Sequence, residues 1–242
     1  MNFFNFSIVK NSVRDFWYKL NGRTFIHFFH IGKTGGTAFK YALKFHLNTA
    51  KFLIKLHGHQ VTLKDIPVGE KVIFILRDPI SRFLSGFYSR KRQGQPKYYV
   101  PWRSEEREAF ETFSTPQELV TALTSTNDEI RAKAEKAMRS IQHVRNSFFE
   151  WFHSESYFQS RLSDIFFIGF QETLSQDFQI LKQKLGLPPN IELPDNGINA
   201  HKNPEGINLN LNEDQRNILK EWYAKDYEFL KMTKELAKEI NL

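Results

Sequence analysis

Cysteine is missing from all 242 residues, so the chain can hold no disulfide framework, no thiol nucleophile and no cysteine-ligated metal. Secreted and lumenal enzymes commonly carry disulfides, and a chain without them is expected in a reducing compartment such as the cytoplasm. No apolar run approaches the roughly 18 residues that mark a membrane-crossing helix. The N-terminus does not combine a basic start, a long apolar segment and a small-residue cleavage site, so a secretory leader is not expected. Internal repeats and low-complexity segments are also absent. Acidic residues are the minority: 34 Lys and Arg against 27 Asp and Glu leave a net charge of +7. That balance suits an anionic small ligand, an acidic glycan, nucleic acid or an anionic membrane surface, without choosing among them.

What the chain has in quantity is phenylalanine, 24 of its residues, which is ample material for the core that a chain of this length can bury. Thr24-Phe25-Ile26-His27-Phe28-Phe29 reads as a buried strand, and Ala38, Phe39, Ala42, Leu43 and Leu47 recur behind it at helical spacing. Between the two lies His30-Ile31-Gly32-Lys33-Thr34-Gly35-Gly36-Thr37. A strand, a glycine-rich turn and a helix in that order aim backbone N–H groups and a helix dipole at one point, which suits a phosphate. Lys33 adds a charge there, and Thr34 and Thr37 add hydroxyls.

A second strand is expected at Phe52–Leu56, ending on His57-Gly58-His59. A third, Lys71–Leu76, is apolar almost throughout, as in a parallel sheet covered on both faces, and ends on Arg77-Asp78-Pro79. Ile80, Phe83, Leu84 and Phe87 then repeat as a helix with Pro79 in its first turn. The fourth strand covers 165–169, followed by a helix with Leu174, Phe178, Leu181 and Leu185 on one face, stopped by Gly186. Residues 90–155 interrupt this alternation with several helices, one opened by Thr115, Pro116 and Glu118 as a capping box. A polar loop covers 187–211, and one final helix opens on Asn212 and Gln215 and is expected to bury Ile218, Leu219, Trp222, Tyr223 and Phe229. Ahead of the first strand, Val9, Val13, Phe16, Trp17 and Leu20 share a helix face, read as packed on the domain. Peripheral membrane contact beside Phe3, Phe4 and Phe6 is the alternative for that segment.

Strands alternating with helices predict an α/β fold, P-loop-like and three-layered, with a mostly parallel central sheet and a helical insertion. The expected division is a single domain over 1–242: a nucleotide-binding core at 24–90, a helical acceptor-binding insertion at 91–155, and 156–242 completing the core with the C-terminal helix. In such sheets the ligand lies at the carboxyl ends of the strands, which here carry Lys33, His59 and Arg77.

The loop is not a Walker A motif, which would need glycine at position 27, where His27 stands. It resembles the 5′-phosphosulfate loop of sulfotransferases that use 3′-phosphoadenosine 5′-phosphosulfate (PAPS), which in the carbohydrate branch usually reads H-I-P-K-T-G-G-T-S. Two positions depart from that pattern: Gly32 replaces the proline and is expected to loosen the turn's entry, and Ala38 replaces the serine and removes a hydroxyl. Arg77-Asp78-Pro79-Ile80-Ser81-Arg82-Phe83-Leu84-Ser85 resembles the family's 3′-phosphate element, R-D-P-x-x-R-x-x-S. The resemblance implies that Arg77 and Ser85 hold the 3′-phosphate, while Lys33, Thr34, Gly35, Gly36 and Thr37 hold the 5′-phosphosulfate. Asp78 is expected to hold the turn and Arg82 to be structural. His57-Gly58-His59 is similar to the H-G-H element of uronosyl 2-O-sulfotransferases, which carries the catalytic base. On that likeness His59 is the base, His57 assists, and Lys33 serves catalysis as well as binding.

The resemblance further implies PAPS as co-substrate, PAP as product and a saccharide or glycolipid hydroxyl as acceptor, with no nucleic-acid partner. A metal is not expected, because no cysteine and no carboxylate cluster accompany the two histidines. His27, His46, His143, His153 and His201 are read as packed or solvated side chains. A weaker likeness covers 167–172 and 225–227, and 90–155 matches no known pattern. Two rival readings remain at this level: a P-loop kinase with 72–78 as a Walker-B-like strand, and a basic binding module using Arg90, Lys91 and Arg92 beside Tyr98, Tyr99 and Trp102.

Overall fold

Four short apolar strands form one sheet in a computed structural model that describes residues 20, 22–96, 98–194 and 208–242. They are β1 (Thr24–Phe28), β2 (Phe52–Leu56), β3 (Lys71–Leu76) and β4 (Ile165–Phe170). All three pairings are parallel and the order across the sheet is β2-β1-β3-β4. Alternation along β3 explains why its sequence is apolar throughout. Val72, Phe74 and Leu76 face a cluster with Phe148, Phe152, Phe158 and Phe229, and Ile73 and Ile75 face another with Phe39, Phe178 and Leu181. The result is three layers. Helices α1 (Gly36–Leu43) and α8 (Leu174–Leu185) cover one face, and α6 (Phe149–Phe152), α7 (Glu155–Ser160) and α10 (Ala224–Ile240) supply the other.

Local signals fix several element ends. Asp78 accepts from the Ser81 N–H at 2.8 Å and starts α2 (Pro79–Lys91) with proline in its first turn. Thr115 and Glu118 exchange hydrogen bonds of 3.1 and 3.2 Å at the start of α4 (Pro116–Ala122). Gly186, with φ of 64°, ends α8. Asn212 and Gln215 cap α9 (Glu213–Trp222) reciprocally at 2.8 and 3.1 Å.

Three expectations need correction. The first helix ends at Leu43, so Leu47 lies beyond it and stays 37% exposed. The single final helix is two helices, broken at Tyr223, because its two halves serve different cores. Leu219 and Tyr223 pack with the helical insertion, whereas Phe229 and Leu230 pack under the sheet. Tyr223 anchors the break by donating to the Val144 carbonyl at 2.9 Å, and Asp226 accepts from the Phe148 N–H at 3.0 Å. Ile218 and Trp222, expected in the core, are only partly buried against it. The expected helix at 9–20 lies outside the described residues except for Leu20, as does most of the 187–211 loop.

Residues 91–155 are helical: α3 (Ser104–Thr112), α4, α5 (Asp128–Ser140) and α6. The apolar faces of α3, α4 and α5 share one cluster with Phe83 and Phe87 of α2 and Leu219 of α9, whereas α6 packs under the sheet. Arg90, expected as part of a basic patch, is buried and bidentate to the buried Glu106 at 2.8 and 2.7 Å. Trp102 donates to the Arg90 carbonyl at 2.6 Å and stacks on Phe110. The Arg90 side chain is therefore committed to the interior, with Trp102 half-buried beside it. Among the described residues no helix is long and apolar enough to cross a membrane.

Candidate functional site

β1 connects to β2 on one side, and β3 lies on the other, so the chain reverses direction across β1. Such a switch point opens a crevice at the strand carboxyl ends. A cleft of about 800 Å³ lies there. The loop after β1 enters it in a left-handed turn: Lys33 has φ of 68° and Gly35 φ of 92°. Gly35 is the N-cap of α1 with no side chain of its own to cap it, so the first N–H groups of α1 face the cleft. For a lysine this backbone conformation is uncommon, and such outliers cluster at ligand clamps.

Of the residues singled out in the sequence, Lys33, Gly35, Gly36, Thr37, His59, Arg77 and Ser85 line this cleft together. Thr34 and His57 do not. The Thr34 hydroxyl is buried and donates to the Ile31 carbonyl at 3.0 Å, so it is spent on holding the turn. The His57 ring stacks on His27 in β1, with Nε2 2.8 Å from His27 Nδ1. His27 Nε2 meets the Glu70 carboxylate at 2.6 Å. With His27 donating to that carboxylate, its Nδ1 accepts from His57, and the pair runs inward from the cleft. Burial, His27 and nearby lysines push His57 down to about 4, so it is neutral at pH 7.

His59 is set differently. Its Nδ1 lies 2.8 Å from the His30 carbonyl, which can only accept, so Nδ1 carries the proton and Nε2 keeps a lone pair. Its backbone carbonyl accepts from Trp151 Nε1 at 2.8 Å, and its ring lies 3.9 Å from that of His30. Burial, Lys40, Lys33 and Arg82 lower its pKa, the His30 hydrogen bond opposing them. A neutral imidazole with a fixed tautomer can accept a proton at pH 7.

The cations Lys33, Lys40 and Arg77 converge on the cleft, and among the described residues no carboxylate lines it. Burial first, then Arg77 and Arg92, pull Lys33 down to about 7. Arg77 Nη1 donates to the Lys33 carbonyl at 3.3 Å, while its buried Nε has no partner among the described residues. Crowded cations and an orphaned guanidinium N–H are what a multiply charged anion would satisfy. The donor set therefore fits a sulfonucleotide. Ala38, which also lines the cleft, offers only a methyl group where a serine would offer a hydroxyl. Among the described residues no three acidic or histidine side chains are grouped to hold a metal.

Two neighbours frame the loop. Asp78 accepts from the Tyr227 hydroxyl at 2.8 Å as well as capping α2, which ties the turn to α10. Arg82 is buried, donates to the Gly32 and Asn146 carbonyls at 3.0 and 2.6 Å, and lies over Phe148 and Trp151. The lining residues that the sequence did not mark as part of the site include His30, Lys40 and His143. His30 belonged to the loop motif. Lys40, four residues past Gly36 on α1, was visible from helical spacing and donates to the His57 carbonyl at 2.7 Å. Nothing local marked His143.

A family model described as "Sulfotransferase family" matches residues 17–232 of the chain. Curated protein sequences give no match.

Proposed function

The chain belongs to the sulfotransferase family, and from that premise we propose that this cleft binds PAPS and passes its sulfuryl group to a hydroxyl of a saccharide or glycolipid. The enzyme is a sulfotransferase, and the family in general takes its sulfuryl group from PAPS. What is proposed is the acceptor class, the His59 base and the role of each residue. The observation that carries the reading is the convergence of Lys33, Arg77 and His59, from the ends of three neighbouring strands, on one cleft that no carboxylate lines among the described residues.

PAPS, when bound, supplies a sulfuryl group joined to phosphate through a bridging oxygen. His59 Nε2 removes the proton of the acceptor hydroxyl as its oxygen bonds to sulfur. The bond between sulfur and the bridging oxygen breaks, and Lys33 neutralises the charge left on that oxygen as PAP departs. The backbone N–H groups of Gly35, Gly36 and Thr37 hold the 5′-phosphate in a preorganised field. Arg77 and Ser85 hold the 3′-phosphate. His57 orients the strand end from behind and does not touch the acceptor. The acceptor class rests on the likeness of the loop, the R-D-P element and H-G-H to the uronosyl branch. Residues 91–155 are read as the acceptor-binding insertion of a single domain, and the lack of cysteine supports a reducing compartment. The kinase reading is disfavoured by His27, which is buried in β1 and not in a phosphate loop.

PAP is expected to stabilise the protein far more than ATP does, and without magnesium, because ATP offers no 3′-phosphate to Arg77 and Ser85. A thermal-shift titration reads this directly, since the midpoint rises with ligand concentration over Kd. Equal, magnesium-dependent shifts with ATP contradict the assignment. Transfer of radiolabelled sulfate from PAPS to a panel of desulfated glycans and glycolipids then tests the acceptor class. Sulfation of none of them, with another hydroxyl compound sulfated instead, would reject that class and leave the nucleotide site standing.

A further inference from the structure

Three structural concessions meet at one side chain, His143. The first is Gly32, at the position where the family pattern has proline. Its φ does not fall in the left-handed region, so its backbone does not demand glycine. Space does: a Cβ there would lie 2.7 Å from His143 Nδ1. The second is Gly86, inside α2, where glycine costs helix stability. A Cβ there would lie 3.2 Å from the His143 Cβ and 3.3 Å from its carbonyl carbon. The third is His143 itself, held at φ of 70°, a conformation that non-glycine residues seldom adopt.

The surroundings hold it there. The His143 N–H donates to Asn146 Oδ1 at 3.1 Å, and Arg82 bridges the Asn146 and Gly32 carbonyls. The imidazole thus lies against the residue preceding Lys33, and its ring stands edge-on to His59 at 5.7 Å. It lines the cleft, and no described residue hydrogen-bonds its ring nitrogens. Lys33 is the proposed partner of the departing oxygen and His59 of the incoming hydroxyl. The group that passes between those two is the sulfuryl.

We propose that His143 is a donor-recognition residue whose ring N–H hydrogen-bonds a sulfuryl oxygen of PAPS, and that Gly32 is glycine in order to admit that ring. No proton is transferred in this contact. Burial, Lys33, His59 and Arg82 keep the imidazole uncharged, so it donates without adding to the cations already present. The inference rests on the reading of the cleft as the sulfonucleotide site.

PAPS and PAP differ only by the sulfuryl group, so the ratio of their affinities isolates the contact without an acceptor. Calorimetric titrations of both, for wild type, His143→Gly, Gly32→Ala and the double variant, form the test. Glycine at 143 suits the left-handed backbone, so His143→Gly is expected to fold. It should weaken PAPS about threefold to tenfold, the range for one hydrogen bond, with PAP changed less than about twofold. Gly32→Ala should lose PAPS selectively too, by displacing the ring, and the double variant should bind PAPS no worse than His143→Gly alone. Equal losses for the two ligands, no loss at all, or additive losses in the double variant overturn the proposal while leaving the nucleotide site intact. A wild-type protein that binds neither ligand overturns the nucleotide site and this proposal together.

Discussion

His59→Ala is expected to lower turnover by about 10²–10⁴, the range for a general base, while PAP affinity stays nearly constant. The prediction depends on the tautomer. The His30 carbonyl accepts a hydrogen bond from Nδ1–H at 2.8 Å, which leaves Nε2 as the only basic atom of the ring. His59 works only when neutral, and its pKa lies below the ordinary histidine value of 6.5, chiefly because it is buried. With PAPS saturating, the wild-type rate should therefore be flat through neutral pH and fall on the acid side only as pH drops below that lowered pKa. His57→Ala should cost much less, since the His57 ring turns away from the cleft onto His27. A pH–rate profile for wild type and both variants, with PAP titrations alongside, separates the roles. Near-normal turnover of His59→Ala with an unchanged acid limb would remove His59 from the mechanism, and a larger loss at His57 would transfer the role.

Lys33→Ala should lower turnover by roughly 10²–10³, the scale of removing one preorganised donor at developing charge. Its second signature is a proton. Lys33 stands at about 7 in the free protein because it is buried among Arg77 and Arg92. A bound anion restores its preference for the charged form. Complex formation above pH 7 must then take up a proton, and PAP affinity should rise as pH falls toward 7 and level off below it. Titrations at pH 8 in buffers of different ionisation enthalpy measure that uptake, which Lys33→Ala should abolish. Folding carries the linked effect with its own sign. The unfolded chain holds this proton up to the ordinary lysine value of 10.5 while the folded chain releases it near 7. Unfolding takes up a proton in that window, so Lys33 makes the ligand-free fold more stable as pH rises across it.

Features written within a few residues were legible in the sequence. β2 and β3 have the expected bounds, and the caps at Thr115, Asn212 and Gly186 stand where turn chemistry put them. The convergence of Lys33, His59 and Arg77 was also legible, because parallel α/β topology sends successive strand ends to one edge. Pairings set by long-range packing were hidden. Glu70 reaches His27 across 43 residues and draws His57 inward with it. Alternation along β2 could not foretell this, because the strand ends at Leu56 and its periodicity stops there. The break at Tyr223 was invisible for a related reason: a continuous helical pattern does not say that its two halves bury into separate cores. His143 had no local signal, and Gly32, a departure from the family pattern, becomes intelligible only when the ring beside it is seen.

The strand-end cleft is proposed to hold the sulfonucleotide with its 5′ end at the Lys33 loop. An experimental structure of the complex with PAP tests this most directly. The 5′-phosphate is expected against the N–H groups of Gly35, Gly36 and Thr37 with Lys33 Nζ beside it, and the 3′-phosphate bonded to Arg77, whose Nε gains a partner, and to Ser85. PAP seated elsewhere, or in this cleft with its 3′-phosphate at Lys33 and no contact to Arg77, would contradict it.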